Sequence, residues 1–509
     1  MSSARIKLAL LILLTGIYNY FFWDERLGLN LFIFSLLLTV ILAFFNRESL
    51  KKPNALISIG FTLTAAVCVL VHNSFVSKLA LFCSFFIMTS LLHEKEFRTA
   101  IAPLFHFMLT FLSTWMGIAK SFFEWLRRVS GLYGRVRTAA KTIRLLFIPL
   151  LFFFIFYFIF KIANPVFHDI TREFGQDLAD FIERVFKDIS FVRIMFILSG
   201  AYIISSILFN WNLHDILEWE SSYSDRITRI RRTVRNTAFN TVSLINEYKI
   251  ALIMIIAVNL LLLVVNAIDI RLLWLNFDYA QAGRLAEMVH EGTYMLIFSI
   301  LLSMAILIYY FRGNLNFLGR NKLLKIAAMV WIAQNVILAI SVILRCYYYI
   351  HEHGLGYKRI GVIVFLILTF IGLFTLYRKI VMQKSKFYLA RVNSWSFYAM
   401  LIALAAVNWD LVIVQYNLQH PNLNVYGKID IGFIISRSDH ALHLIDPNLD
   451  KIDFNASAKS SYDAYQIWTE NKRDYVEARI INFKHQHELR SWLSWNYAEQ
   501  RTFDYFSGD

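Results

Sequence analysis

Three groups of polar side chains interrupt otherwise apolar stretches of this 509-residue chain, at spacings that place each group on one side of a helix. The first is Asn408, Asp410, Gln415, Tyr416 and Asn417. At about 100° per residue, Asp410 and Asn417 share a face, and Asn408 and Gln415 share a neighbouring one. The second is Gln334, Ser341, Arg345 and Tyr348, at steps of seven, four and three residues. The third is Asn259 and Asn266. Amides, hydroxyls and one charge of each sign can join helices or line a site for a ligand or ion. A charge near the bilayer centre costs about 2.5–3.5 kcal/mol on insertion scales, so residues at that depth are paired, hydrated or near headgroups. The sharper of two hypotheses is an Arg345–Asp410 pair. The competing reading has both charges snorkelling to the interface and the amides holding helices together.

Other chemistry is sparse. His440-x-x-His443 has a ligand-like spacing, but no Cys, His-Glu-x-x-His or Glu-x-x-His accompanies it, so no metal is expected. His351, His353, His485 and His487 read as surface residues. No Gly-rich phosphate loop, nucleophile elbow or dinucleotide fingerprint occurs, so no cofactor is expected. Cys68, Cys83 and Cys346 lie in apolar runs and read as packing residues. Trp492, Trp495 and Asn496 can dock the end of the chain on lipid headgroups or form the core of a small domain, and the core is the expectation.

The elements that must position these residues are membrane helices. The chain is 58% hydrophobic and 17% charged, more apolar than a water-soluble fold can hide. Runs long enough to cross about 30 Å of hydrocarbon lie near 8–23, 28–45, 55–72, 75–92, 145–163, 191–210, 250–267, 292–311, 326–344, 360–377 and 395–415. They predict an all-α polytopic bundle of about eleven spans. Arg5 and Lys7 precede the first run as in a signal peptide, but without a small-x-small cleavage site it reads as a retained span. Lys and Arg outnumber Asp and Glu by 51 to 36. They cluster in short connections, which is the positive-inside pattern and argues against a nucleic-acid partner.

Alternation of those charges places the N-terminus in the cytoplasm and the C-terminus outside. Residues 99–118 are apolar enough to span, but crossing would carry Lys120, Arg127, Arg128 and further bases outside, so an interfacial or re-entrant helix is expected. Residues 164–190 read as an outer amphipathic helix. Residues 211–249, with Arg226, Arg229, Arg231, Arg232 and Arg235, read as a cytoplasmic basic segment meeting anionic lipid. The transmembrane domain then covers 1–415, and 416–509 forms a small helical aqueous domain.

Ordered motifs carry a family resemblance: Ala163-Asn164-Pro165-Val166-Phe167, Glu291-Gly292-Thr293-Tyr294, Arg345 with Gly354-Leu355 and Arg359, Asn408-x-Asp410 with Tyr416-Asn417-Leu418, and Trp492-x-x-Trp495-Asn496. From about Phe147 onward the chain resembles the bacterial polytopic membrane proteins of domain-of-unknown-function family 4173. Gln419-His420 stand where that family implies a basic residue. The resemblance implies an uncharacterised protein of the bacterial inner membrane and supplies no substrate.

Three functions remain in contention. One is a non-enzymatic envelope sensor or scaffold, whose outer tail reads the envelope and whose inner loops address an unidentified protein partner. The second is a secondary transporter of a small solute or ion. The third is a membrane-embedded enzyme acting on a lipid or glycan, with Asp410 as base. The lack of catalytic motifs and the large tail favour the first.

Overall fold

The computed structural model describes residues 3–94, 96–130, 190–209, 220–229, 244–275, 282–319, 321–420, 431–451 and 472–508, with scattered positions between 149 and 172. Most of the expected 145–163 span, the 164–190 helix and the 211–249 segment lie outside these residues.

The body consists of α1 (Ser3–Phe22), α2 (Leu29–Phe45), α3 (Pro53–His72), α4 (Phe75–His93), α5 (Ile101–Ser130), α6 (Phe191–Leu208), α7 (Leu244–Asp269), α8 (Ala282–Tyr310), α9 (Lys322–His353), α10 (Tyr357–Val381), α11 (Lys386–Ala405) and α12 (Trp409–Gln419). Local chemistry sets their ends. Pro53 opens α3, where its missing N–H costs nothing. The Ser74, Ser190 and Ser385 hydroxyls accept the N–H three residues on and start α4, α6 and α11. Gly354 stops α9 at a φ of 78° that a side chain would strain.

Among the described residues nine helices are long and apolar enough to cross a membrane, and a tenth span results if the bent pair α11 and α12 is one. With no strand among the named elements, this is a multi-pass helical membrane protein. The difference from about eleven has identifiable sources. The 145–163 run is only partly described, and α2 is 17 residues long, just short of a span. The 99–118 stretch, expected at the interface or re-entrant, begins an unbroken 30-residue helix. Its Ala102, His106, Phe107, Thr110 and Thr114 are buried. His106 Nδ1 lies 3.1 Å from Ser90 Oγ on α4, and the Tyr202 hydroxyl on α6 donates to Phe111 O. These contacts align α5 with the bundle.

Two apolar cores lie in the first half, joining α1 to α6 with a contribution from α11, and a third joins α7 to α11. Helix α11 serves both halves: Tyr388 and Leu389 pack with α7–α10, whereas Tyr398, Ile402 and Ala405 pack with α2–α5. Helices α1 and α6 are antiparallel. Lys7 donates to Leu208 O at 3.0 Å at one end, and the Arg193 guanidinium sits 5.5 Å from the Trp23 ring centre at the other. A Cβ at Gly200 would overlap the Tyr18 ring, so glycine permits this crossing.

At the Lys7 end, Asp225 binds Arg98 at 2.9 Å and Arg391 at 2.6 Å, and Trp395 Nε1 donates to Arg98 O. This ties connections from both halves. At the opposite end the chain breaks between α11 and α12 by 62°, so the expected 395–415 span is not straight. Helix α12 instead buries Val414, with Leu411 and Leu418, in the core of the tail. That core is completed by α13 (Ile431–Ile435), α14 (Leu442–Ile445), α15 (Lys472–Glu488) and α16 (Tyr497–Ser507).

Candidate functional site

Helices α7 and α9 run parallel, and polar side chains close the seam between them in register. Asn259 Nδ2 donates to Ala327 O at 3.0 Å, Gln334 Nε2 to Asn259 Oδ1 at 3.0 Å, and Asn266 Nδ2 to Gln334 O at 3.1 Å. Farther along, Trp274 Nε1 donates to Ser341 Oγ at 3.2 Å and the Tyr348 hydroxyl to Leu273 O at 3.1 Å. The second and third polar groups of the sequence thus meet on one surface.

Arg345 is also on this seam, but its partner is Asp269 and not Asp410. Its Nη2 lies 2.5 Å from Asp269 Oδ1, and both side chains are buried. The expected Arg345–Asp410 pair fails because α12 turns away into the tail. Asp269 lies one turn past Asn266 on the same face, at the junction where α7 widens into a π-helical turn, Ile270–Leu275. Such turns frequently occur at functional sites. On the third side, a Cβ at Gly292 would stand 3.9 Å from Arg345 Nη1, so α8 passes directly against the guanidinium. The adjacent Thr293 is buried.

The first polar group forms a separate junction between bundle and tail. Asn408 is an N-cap, accepting Leu411 N–H at 3.4 Å. Asp410 accepts the Tyr357 hydroxyl at 2.9 Å and lies 3.8 Å from Arg437 Nη1. Asn417 accepts Leu355 N–H at 2.6 Å and donates to Leu355 O at 2.9 Å, clamping the α9–α10 turn with both ends of its amide. Arg359 donates to His353 O and Gly354 O and so caps the end of α9. Tyr416 stacks obliquely near His420, their rings 5.2 Å apart. Gln415 is exposed.

A second junction holds the tail to the α1–α2 turn. Leu29 N–H donates to Trp495 O at 2.8 Å, Arg26 N–H to Ser494 Oγ at 2.9 Å, and Ser491 and Ser494 both donate to Glu25 at 2.5 Å. A Cβ on Gly28 would lie 2.6 Å from Trp495 O, which explains the glycine. The expectation that Trp492 and Trp495 form the tail core is corrected: they are 58% and 37% exposed. The Trp495 carbonyl serves the docking, while Asn496 is buried as the N-cap of α16.

The histidine pair does not assemble as metal ligands. His440 Nε2 lies 3.6 Å from Glu499, and His443 Nδ1 is 3.2 Å from Thr502 Oγ1. No group of three or more His, Cys, Asp or Glu suited to a metal occurs among the described residues. Burial alone would raise the Glu499 carboxyl, but the neighbouring His440 imidazole and the guanidinium of Arg490 outweigh it and hold it at about 2. Burial, with Arg501 nearby, holds His443 below the usual imidazole range.

Sequence reasoning missed Asp269, which lies two residues past the apolar run near 250–267, though its spacing of three from Asn266 marks the face. It also missed Asn30. That buried amide accepts from Gly28 and Leu31 and donates to Phe21 O and Arg26 O, fixing the turn on which the tail docks. No single-position pattern singles out such a hub.

No curated protein and no solved structure matches the chain. The match is to a family described as a domain of unknown function (DUF4153), over residues 8–448. The number 4173, expected from the motifs, is not confirmed. The match begins in α1, so the first helices are part of the family pattern, and it ends within the tail. The chain belongs to the DUF4153 family.

Proposed function

We propose that this protein is a non-enzymatic sensor or scaffold of the bacterial inner membrane, in which the tail faces the envelope and reports through the bundle to the basic loops. The observation that carries this reading is the double docking of the tail. It grips the first half of the bundle at Glu25, Arg26 and Leu29, and the second half at Leu355 and Tyr357. A force on the tail therefore acts on both halves, which meet again at Asp225, Arg98 and Arg391 at the far end. The alternation of Lys and Arg supports a cytoplasmic far end, where basic loops meet anionic lipid and a protein partner.

The test uses a cysteine-free protein carrying Ser222→Cys, labelled with a membrane-impermeant thiol reagent. Labelling is expected in inside-out vesicles only, and adding Asn417→Leu should change its rate several-fold. Labelling from the other face would contradict the orientation, and an unchanged rate would contradict the coupling.

One observation favours a second reading as a secondary transporter: the buried Asp269–Arg345 pair and amide relay lie on a seam between three helices. Solute flux in proteoliposomes that is lost in Asp269→Asn would support it, and flux unaffected by that change would oppose it. Asp410, the base an enzyme would use, is engaged by Tyr357 and Arg437.

A further inference from the structure

The segment from Leu489 to Tyr497 is built the wrong way round for a surface in water. Its polar side chains bond to the protein: Arg490 pairs with Glu499, Ser491 and Ser494 donate to Glu25, and Asn496 caps α16. Its large apolar residues face outward, with Leu489 74%, Trp492 58%, Tyr497 51% and Trp495 37% exposed. Trp492–Ser494 is a 3₁₀ turn, in which positions three apart eclipse, so Trp492 and Trp495 stand on one side of it. Leu493 and Ser494 take the other sides and are buried. A contiguous apolar surface left exposed in this way marks contact with a protein or a membrane.

Depth decides between the two. Helix α1 closes at Phe22 and α2 opens at Leu29, so the turn between them emerges at the edge of the hydrocarbon. Leu8, Ile12, Leu13 and Tyr20 of α1 are exposed, as in a helix that faces lipid along its length, and Tyr20 and Trp23 mark its headgroup level. Trp495 O accepts the Leu29 N–H at 2.8 Å and Ser494 Oγ that of Arg26 at 2.9 Å. The segment therefore lies against a lipid-facing helix at the level of that turn. The interfacial layer is about 5–8 Å thick on each side of the hydrocarbon. Indole favours this layer, its apolar body toward the chains and its N–H toward water.

We propose that Leu489, Trp492, Trp495 and Tyr497 insert into the headgroup and glycerol layer of the bilayer, giving the tail a lipid attachment beside its two protein ones. The inserted groups are uncharged, so the contact is with the interfacial layer itself and not with one headgroup. It goes beyond the sensor reading, does not require it, and is the same on either face of the membrane.

The test uses the full-length, cysteine-free protein with Leu489→Cys or Trp492→Cys, spin-labelled and reconstituted in vesicles of phosphatidylethanolamine and phosphatidylglycerol. Collision rates of the nitroxide with oxygen, which concentrates in lipid, are compared with those with a water-soluble nickel chelate. An oxygen-to-nickel ratio several-fold above that of the free label in water is expected at both positions. Leu489→Cys leaves both tryptophans in place and decides the outcome if Trp492→Cys undocks the segment. A ratio there equal to that of the free label would put the surface in water and overturn the proposal. Low collision rates with both reagents would mean a protein cover, such as a second copy of the chain, and would overturn it equally.

Discussion

Asp269 and Arg345 form the interaction whose loss is costed most directly. Removing one member of a buried pair leaves an uncompensated charge, at about 3–5 kcal/mol. Arg345→Ala should therefore lower stability by that order, and the reversal Arg345→Asp with Asp269→Arg should recover much of it in thermal melts. Recovery by Arg345→Asp with Asp410→Arg would instead restore the pairing read from sequence. At Glu499 the carboxyl is held at about 2, below its ordinary range. A depressed folded-state value means that its contribution is fully present above the unfolded value and is lost as pH falls toward 2. The tail should accordingly lose on the order of 2–3 kcal/mol between roughly pH 4.5 and 2. Tryptophan fluorescence should report that loss, and Glu499→Gln should flatten the profile. His440 and His443, the metal candidates of the sequence, serve the same neighbourhood by contacting Glu499 and Thr502.

At the level of helices, Asn417 makes two of the bonds that hold the tail among the described residues, both to Leu355. Asn417→Leu keeps the volume and removes both, leaving the backbone of the α9–α10 turn without its partners, at about 1–3 kcal/mol. Limited proteolysis should then cleave the tail several-fold faster, while cleavage unchanged from the parent would mean that the turn is held elsewhere. The legibility of these elements in the sequence follows their physics. Apolar length marks a span, so α3, α4, α6, α9 and α10 could be read directly. The break at Asn408 could not, because Asn408 followed by Trp409 and Asp410 reads as a polar stripe unless the cap and the tail's core are known. Charge counting discouraged a crossing by α5, but packing of His106 and Phe111 against neighbouring helices is a tertiary property that no loop composition reveals. Six of the polar candidates, from Asn259 to Tyr348, were found by helical spacing because the seam itself is helical. Asp269 was lost because the reading of the span stopped too early.

Across the whole molecule, two helical halves share α11, are tied by Asp225 at one end, and are spanned by the tail at the other. The DUF4153 match reaches from α1 into the tail, in keeping with one unit that needs both halves. The seam of α7 and α9 lies in the half that Asn417 grips at Leu355. The central claim is that one tail holds both halves at once. Its most direct measurement uses a cysteine-free protein in intact membranes, carrying either Glu25→Cys with Ser491→Cys or Tyr357→Cys with Arg437→Cys, two pairs whose native side chains are in contact. A short thiol-to-thiol cross-linker is applied, and a protease site placed in the 421–430 connection, which separates the members of both pairs, reports linkage on a gel. The account predicts efficient cross-linking in both pairs, with linkage at the second pair reduced by Asn417→Leu. Linkage at one pair with none at the other would show a tail docked on a single half and would contradict it.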